Sequence, residues 1–458
     1  MAQRKAHDSA VPDVQPHIHR ARAELKTFID ANRLLPEDPV MTIDGGLLTI
    51  SLSRPINLDE MRHLSYLFAA DPDVTRAKHE ARDIKRRQTG GEAYTEPEDR
   101  VKLSGFSVLA RTTKMGAYSF NLPAGPTGPS SLGTCRVSAK HWPIGQYQSD
   151  VAVNELGEQG IAKRDAKDWI CSNCYAMKGA YGSPTVILIQ ELRRQWVASF
   201  ADRADGSHQL ATWLTRAIRW GQLSSIKAKA SLAGKLDKSG NDRSVMVPNP
   251  GYFRIHDAGD FGLGPWYADA WFETCSRCAE PHVVRLPKKG SSDGLPPEFI
   301  DTHGDVQGVE HTLPAVRFWA ATRAWTVNSG LEQYVRGVCS AKQEDFCVPE
   351  NLSLRPSALY FGDAPPVLNG KHLTVFGQQA VLVGGYAQGT TADTLDRAKP
   401  ETWSCPAYKP TDPSKPKKSQ PGACQKSVGP DGEKPAPEGP GCRACWDHSD
   451  KPVTYVRH

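Results

Sequence analysis

Eleven cysteines carry most of the chemistry that this 458-residue sequence could support. Four of them lie towards the C-terminal end, where Cys442 and Cys445 form a C-x-x-C pair. Two thiolates at that spacing can reach one metal centre from a single turn, and four thiolates suit tetrahedral zinc or an iron–sulfur cluster. The pattern predicts a metal site, with zinc and [4Fe-4S] both open, formed by Cys405, Cys424, Cys442 and Cys445.

A second group has only three cysteines, Cys135, Cys171 and Cys174, and Tyr175 directly follows its C-x-x-C pair. A cluster held by three thiolates leaves one iron open to a small ligand, and metal-based catalysis requires such an open position. We therefore expect a cofactor site at these three cysteines, with Tyr175 packed over it. A zinc ion completed by a histidine such as His141 is the alternative.

The remaining cysteines form a C-x-x-C pair, Cys275 and Cys278, followed by the more distant Cys339 and Cys347. Four such ligands predict a structural zinc site that ties an insertion to the core. Whether this group forms a site at all stays open, and for the C-terminal four cysteines the alternative is unligated thiols.

Polar residues follow two predicted strands. The first strand ends in His256, Asp257 and Asp260 around a glycine, and Arg323 ends the next strand. Because ligands of α/β domains bind at the carboxyl ends of strands, these four are the predicted catalytic residues. His256 would transfer protons or bind metal, the two acids would bind hydroxyl or amine groups, and Arg323 would bind a carboxylate or phosphate. A structural alternative is that Asp260 caps a helix and Arg254 lies in a buried salt bridge, with Arg323 on the surface. Weaker candidates of the same kind are Lys178, Tyr181 and Ser357.

Strands and helices alternate from about residue 101 to residue 400, and these elements must position the polar residues. Alternation of this kind is typical of an α/β domain with mainly parallel pairing, and we favour a complete or partial (β/α) barrel with polar insertions. We interpret residues 1–100 as an accessory segment and residues 401–458 as a tail with four cysteines. That tail has too few aliphatic residues to fold without metal. The expected strands lie near 47–52, 117–122, 253–257, 316–325, 352–361 and 373–383, the expected helices near 18–31, 184–201, 210–221, 266–275 and 331–338, and the expected polar loops at 224–243 and 279–313.

The bulk composition is that of an ordinary globular protein, with a formal net charge of +5. This mild basic excess is compatible with acidic ligands but does not establish nucleic-acid binding. The N-terminal stretch lacks the apolar region of a secretory signal, and no apolar run approaches the ~20 residues of a membrane span. We therefore expect a cytoplasmic protein that does not bind membranes, in which thiols stay reduced and favour metal over disulfides.

An ordered series of motifs resembles the phage "gene product 88" domain family. The motifs are KMGAYSFNLPAG, CSNCYAMKGAYG, RIHDAGDF, FWAATR and the tail CRACW with VTYVRH, and together they cover roughly residues 101–458. The resemblance implies a protein encoded by a phage or another mobile element and working in the cytoplasm of a host bacterium.

A looser resemblance is to radical SAM enzymes, which hold a [4Fe-4S] cluster on three cysteines at the start of a partial (β/α) barrel. It implies that Cys135, Cys171 and Cys174 hold the cluster and that S-adenosylmethionine is the cofactor at the open iron. About 35 residues separate Cys135 from Cys171, whereas that gap is short in those enzymes. The C-terminal group of four cysteines would then correspond to an auxiliary cluster.

These observations lead to one main hypothesis and two alternatives. The main hypothesis is a phage-type iron–sulfur protein with radical SAM-like chemistry on a small-molecule ligand. The first alternative is a non-catalytic module, stabilised by zinc or iron–sulfur clusters, that binds nucleic acid or a host protein. Lysine-rich stretches at 227–238 and 409–418 favour that alternative. The second is a redox or sensing protein whose cluster only stores or relays electrons.

Overall fold

The computed structural model describes a large part of the chain, in separate stretches. These are residues 15–69, 71–88, 103–112, 116–124, 127–128, 131–132, 134–135, 176, 181, 183–236, 242–287, 308–322, 330–331, 333–334, 337, 349–356, 386–389, 403–404 and 453–456.

A five-stranded sheet lies at the centre of the described structure. Four of its strands are parallel and lie side by side in the order in which they occur along the chain. A short fifth strand, β4 (Ala110–Thr112), pairs antiparallel at one edge. Helices and hairpins separate the first three of these parallel strands along the chain. The parallel strands are β5 (Ala117–Phe120), β8 (Tyr252–Ile255), β11 (Arg317–Thr322) and β12 (Leu352–Pro356).

One face of this sheet is apolar and packs against helices. Phe120, Phe253 and Phe318 belong to one buried cluster, and the ring of Trp271 contacts both Phe120 and Phe253. Trp271 itself is fully buried, and burial of a side chain of this size stabilises the fold by roughly 3 kcal/mol or more. The helices of this layer are α4 (Pro184–Ala198), α5 (Gly206–Leu232) and α6 (Pro265–Arg277).

The opposite side of the sheet, called here the polar face, has a different composition. Because side chains alternate along a strand, the register puts one residue from each parallel strand into a row across it. Ser119 lies beside Arg254, Arg254 beside Trp319, and Trp319 beside Ser353. Ala321 and Arg355 form the next pair towards the carboxyl ends. Parallel sheets covered by helices on both sides carry apolar residues on both faces, so this polar face indicates a different kind of environment.

The N-terminal region forms a second, antiparallel sheet of three strands in the order β1-β2-β3. Its helix α2 begins with a capping box, in which Asn57 and Glu60 exchange side-chain and backbone hydrogen bonds. Arg54 donates two hydrogen bonds to Glu60 and lowers the pKa of that carboxyl group. The elements of this region are α1 (Gln15–Ala31), β1 (Met41–Asp44), β2 (Leu47–Ile56), α2 (Leu58–Leu67), α3 (Pro72–Gln88) and β3 (Leu103–Ser107).

The N-terminal sheet and the central sheet share one hydrophobic core. Leu25, Ile50 and Leu64 belong to the same buried cluster as Leu192 and Phe253. A fully buried guanidinium also joins the two parts, since Arg193 on α4 donates to the carbonyl oxygens of Ser107 and Leu109. Burial lowers the pKa of Arg193 to about 10, so it remains charged near neutral pH. A domain boundary near residue 100 stays a prediction, but packing is continuous across that position.

The other described strands form small sheets. A two-stranded antiparallel sheet lies between α6 and β11, and two short strands form a hairpin after β5. Three short parallel strands from the last part of the chain pair with one another. The strands are β6 (Thr127–Gly128), β7 (Ser131–Leu132), β9 (His282–Pro287), β10 (Gly308–Leu313), β13 (Tyr386–Gly389), β14 (Trp403–Ser404) and β15 (Val453–Val456).

The predicted α/β class is confirmed, and in the described residues the central sheet is open. Pairing is mainly parallel in that sheet, whereas antiparallel pairs are as frequent as parallel ones over all the described strands. Two predicted loops are wrong in part. Helix α5 continues through residue 232 into the lysine-rich stretch, because its inner face still buries Leu223 and Ser225. The expected insertion at 279–313 begins and ends with the paired strands β9 and β10. The strand expected at 373–383 lies outside the described residues. Among the described helices, none is long and apolar enough to span a membrane.

Candidate functional site

A tight turn follows β8 and forms the centre of the candidate site. The His256 N–H donates to the Phe120 carbonyl oxygen at 3.0 Å, and the Leu122 N–H donates to the Ala258 carbonyl oxygen at 3.0 Å. The turn is thereby tied to the carboxyl end of β5. Gly259 has φ of +88°, and a Cβ there would lie 2.9 Å from the Leu122 carbonyl oxygen. The turn therefore requires glycine at this position.

His256, predicted to be catalytic, points to the helix side of the sheet. Its ring packs against Phe261, Tyr267 and Trp271, and its Nε2 lies 2.7 Å from the Tyr267 hydroxyl oxygen. Burial, together with the nearby charge of Arg254, lowers the pKa of His256 to about 3. The imidazole is therefore neutral near pH 7. Its backbone has φ of +60°, a left-handed conformation that costs a non-glycine residue roughly 1 kcal/mol or more.

Asp257 points to the polar face instead. One carboxylate oxygen accepts from Arg254 and the other accepts from the Tyr181 hydroxyl. The Asp257 N–H donates to the Asn121 side-chain oxygen at 3.0 Å. The guanidinium of Arg254 also stacks on the Trp319 ring, 4.4 Å from its centroid. Because both carboxylate oxygens and the backbone N–H of Asp257 are hydrogen-bonded, its carboxylate has one fixed orientation at the carboxyl ends of β5 and β8.

Asp260 joins the turn to the neighbouring strand. Its Oδ1 accepts from the Thr322 hydroxyl at 2.6 Å and from the Phe261 N–H at 2.8 Å. Its own N–H donates to the Thr134 hydroxyl at 3.1 Å. The structural alternative was partly correct, because Arg254 forms a salt bridge, with Asp257. Asp260 does not cap the following helix, whose N-cap is Gly264.

Cys135 lies next to this turn in a shell of small side chains. The buried cluster of Ala124, Ala176 and Ala258 packs against both Cys135 and Tyr181. Ala258 belongs to the turn, and Ala176 follows the predicted ligand Cys174 by two residues. The Cys135 side chain is partly exposed, unlike the buried alanines around it. Three separate parts of the chain therefore meet at the carboxyl ends of β5 and β8.

Thr134 fixes the approach of the chain to Cys135. Both its N–H and its hydroxyl donate to the Pro123 carbonyl oxygen, at 2.9 and 3.0 Å. The same hydroxyl accepts from the Asp260 N–H. Thr134, which directly precedes Cys135, is therefore hydrogen-bonded both to Pro123, just after β5, and to the turn after β8. Sequence reasoning did not select Thr134, although its position beside a candidate ligand was an available signal.

Cys275 and Cys278 lie elsewhere, at the C-terminal end of α6, in the main hydrophobic cluster. Burial, together with the proximity of Cys278, raises the pKa of the Cys275 thiol, which favours the protonated form. In the described stretches no group of three or more Cys, His, Asp or Glu side chains is arranged to hold a metal ion. Cys339 and Cys347 are outside those stretches, so the four-cysteine site stays a prediction.

The structure thus divides the predicted catalytic residues. Asp257 binds Tyr181, and Cys135 packs against the alanine cluster that contains the next residue, Ala258. His256 and Asp260 lie where they support the turn. Tyr181 was only a weaker candidate, and Arg254 had been considered only for a structural salt bridge. Several predicted residues lie outside the described structure, namely Cys171, Cys174, Tyr175, Arg323, Cys405, Cys424, Cys442 and Cys445.

Comparisons with known proteins return no relative. No family model matches the chain, and neither curated proteins nor solved structures provide a match.

Proposed function

We propose that the chain is a phage-type iron–sulfur protein in which Cys135, Cys171 and Cys174 hold a [4Fe-4S] cluster with one open iron. One observation carries the proposal. Cys135 packs against a buried cluster that contains Ala258, in the turn after β8, and Ala176, the second residue after Cys174. We assign Cys174 to the same centre, since two residues of chain span at most about 7 Å.

The side chains around Cys135 fit such a group. Ala124, Ala176 and Ala258 are small and apolar, so the cluster that packs against Cys135 contributes neither a bulky nor a charged side chain. The Cys135 thiol is partly exposed, so an incoming metal centre can reach it, whereas Cys275 is fully buried in apolar surroundings. When bound, a cluster of this kind supplies one electron and an open coordination position.

The protein's own residues supply orientation at this place. Asp257 presents a carboxylate fixed by Arg254 and Tyr181, suited to an amine or hydroxyl group of a bound small molecule. The neutral His256 and the hydrogen-bonded Asp260 keep the turn in position beneath it. We further propose that the central sheet is part of a (β/α) barrel with the polar face inside, since its strands follow one another in chain order. Radical SAM-like chemistry is the activity that this arrangement best supports.

Metal analysis of anaerobically purified protein tests the cluster. We expect iron and inorganic sulfide in equal amounts, with absorbance near ~400 nm, and a loss of about four irons per chain in Cys135→Ala. Ser65→Ala, a change of similar size on α2, should keep the full iron content. Stoichiometric zinc without sulfide would instead favour the binding module, and unchanged iron in Cys135→Ala would refute this ligand assignment.

Cofactor binding then separates an enzyme from an electron-relay protein. We expect the iron-loaded protein to bind S-adenosylmethionine and to cleave it when dithionite is added. Tyr66→Phe, at a tyrosine of the N-terminal region, should cleave it at the wild-type rate. Full iron content without binding or cleavage would leave the cluster assignment intact and refute the radical SAM-like activity.

A further inference from the structure

Helix α3 packs against its neighbour along one narrow stripe. Thr75, His79 and Asp83 are half-buried, and every other α3 residue whose burial is described is exposed. Asp83 accepts a hydrogen bond from Arg62 of α2 at 2.7 Å, and the His79 ring packs edge-on against Tyr66 of α2. These contacts fix which side of α3 faces α2, so the opposite side faces outward.

An apolar seam runs along that outward side. Its members follow one another at the a and d spacing of a heptad and are Val74, Ala77, Ala81 and Ile84. Val74 is 46% exposed and Ile84 is 53% exposed, so a large apolar side chain lies in water at each end of the seam. Aligned apolar side chains of this kind are typical of a surface that another protein covers.

Charged residues flank the seam in an ordered way. Lys78 and Lys85 occupy the e positions on one side, and Asp73 and Glu80 occupy the g positions on the other. All four side chains are exposed.

This order of charges matches one arrangement of two identical helices. In a parallel pair, a g residue faces the e residue five positions later on the partner helix. Asp73 would therefore face the partner's Lys78, and Glu80 would face the partner's Lys85. In an antiparallel pair, e positions face e positions, which would place lysine against lysine.

We propose that α3 pairs in parallel with α3 of a second copy of this chain, through the apolar seam and the flanking ion pairs. An identical partner fits because the same helix supplies both members of each ion pair, as a two-fold interface requires. The seam covers only about two heptads, so the dimer is weak, with a Kd on the order of 10–100 µM. This inference is independent of the proposed cluster.

Sedimentation equilibrium of the full chain, from about 5 to about 300 µM, tests the pairing. We expect a reversible equilibrium between monomer and dimer. Ile84→Lys should weaken dimerisation by at least about thirtyfold, because it places two ammonium groups in the apolar seam. Leu236→Lys is the matched control, since Leu236 is 63% exposed outside α3, and it should leave the equilibrium unchanged. Because both positions are exposed, both variants should keep the wild-type circular dichroism.

Charge reversal tests the parallel orientation. Lys85→Glu should weaken dimerisation by about three- to tenfold, because it places carboxylates opposite each other at two symmetry-related positions. Addition of Glu80→Lys to the same chain should restore dimerisation to within about twofold, because each ion pair is then reversed but complete.

Two sets of outcomes would overturn the inference. A chain that stays monomeric over the whole concentration range, or an Ile84→Lys dimer as strong as the wild type, would overturn the α3 interface. An unchanged or stronger dimer in Lys85→Glu, or no recovery in the double variant, would overturn the parallel arrangement.

Discussion

At the scale of single residues, neighbouring side chains of the turn after β8 lie in different environments, on opposite sides of the central sheet. His256 and Asp257 are adjacent in sequence, yet one packs among aromatic rings and the other is held by Arg254 and Tyr181. The left-handed backbone of His256 reverses the expected alternation at this point. Residue type and position predicted that the turn matters, but the side of the sheet on which each residue lies depends on one backbone dihedral.

The buried His256 makes stability depend on pH. Its folded pKa of about 3 is below the unfolded value of 6.5, so the unfolded chain binds more protons between these values. Stability should therefore be complete above pH 6.5 and should fall by roughly 1.4 kcal/mol per pH unit below it. Urea unfolding at pH 7 and pH 5 should show a loss of about 2 kcal/mol from this residue.

His256→Asn should remove this contribution, because asparagine tolerates the left-handed backbone and does not titrate. The variant will be less stable at pH 7, but its loss between pH 7 and pH 5 should be about 2 kcal/mol smaller than in the wild type. His63→Asn, at an exposed position on α2, is the control and should keep the wild-type difference. Equal differences in His256→Asn and the wild type would contradict a neutral buried imidazole.

Thr134 gives a second prediction at this scale. Thr134→Val nearly keeps the shape of the side chain but removes its hydroxyl. The buried Asp260 N–H and Pro123 carbonyl oxygen each then lose one hydrogen-bond partner. We expect a loss of about 1–3 kcal/mol in the free energy of unfolding, measured in urea. Thr27→Val removes a hydroxyl from an exposed helix surface and should change stability by less than about 0.5 kcal/mol. Similar values for the two variants would show that the Thr134 network contributes little.

At the scale of elements, the local sequence predicted the positions of strands and helices well wherever apolar stretches are bounded by polar ones. Strands β5, β8 and β11 and helices α4 and α6 lie where the apolar patterns predicted them. Helix α5 was predicted too short, since the apolar pattern weakens after Gly221 while lysines become frequent. Lysine is a good helix former, and a few buried positions suffice to hold the last turns in place. Long-range pairing of β9 with β10 was invisible, because no local signal marks the partner.

The turn itself offers the sharpest prediction about an element. Gly259→Ala would introduce a Cβ 2.9 Å from the Leu122 carbonyl oxygen, in a backbone conformation that alanine avoids. We expect a destabilisation of at least about 2 kcal/mol, because strain and steric overlap add. Gly234→Ala is a matched control, since Gly234 also has positive φ but nothing within 4 Å of a Cβ. Thermal unfolding of both variants separates overlap from backbone strain, and an equal loss in the two would contradict the close approach.

At the scale of the whole molecule, the N-terminal region behaves as part of the core. Residues 1–100 were predicted to be an accessory segment, and residues 76–99, which are dense in charge, fit either a helix or a flexible linker. The high charge of α3 agrees with its exposed surface. Composition does not reveal, however, that Leu25, Ile50 and Leu64 belong to one buried cluster with residues of α4 and β8. Contacts between distant parts of a chain are the information that one sequence lacks.

Removal of this region tests its contribution. A chain that begins at residue 101 would expose the apolar residues of α4 that share a buried cluster with Leu25, Ile50 and Leu64. We expect it to aggregate, or to show helix without a cooperative thermal transition. A chain that begins at residue 15 removes only residues that precede α1 and is the control. A soluble, cooperatively unfolding chain from residue 101 would instead establish an independent domain.

The shell around Cys135 has a consequence for biosynthesis. Ala258 follows Cys135 by more than a hundred residues. Cys135 is therefore synthesised well before the alanine cluster that packs against it can form. At ordinary translation rates the delay is on the order of ten seconds. During that interval the Cys135 thiol is open to oxidants, so a thiol reductant would protect it most effectively while the chain is still being synthesised.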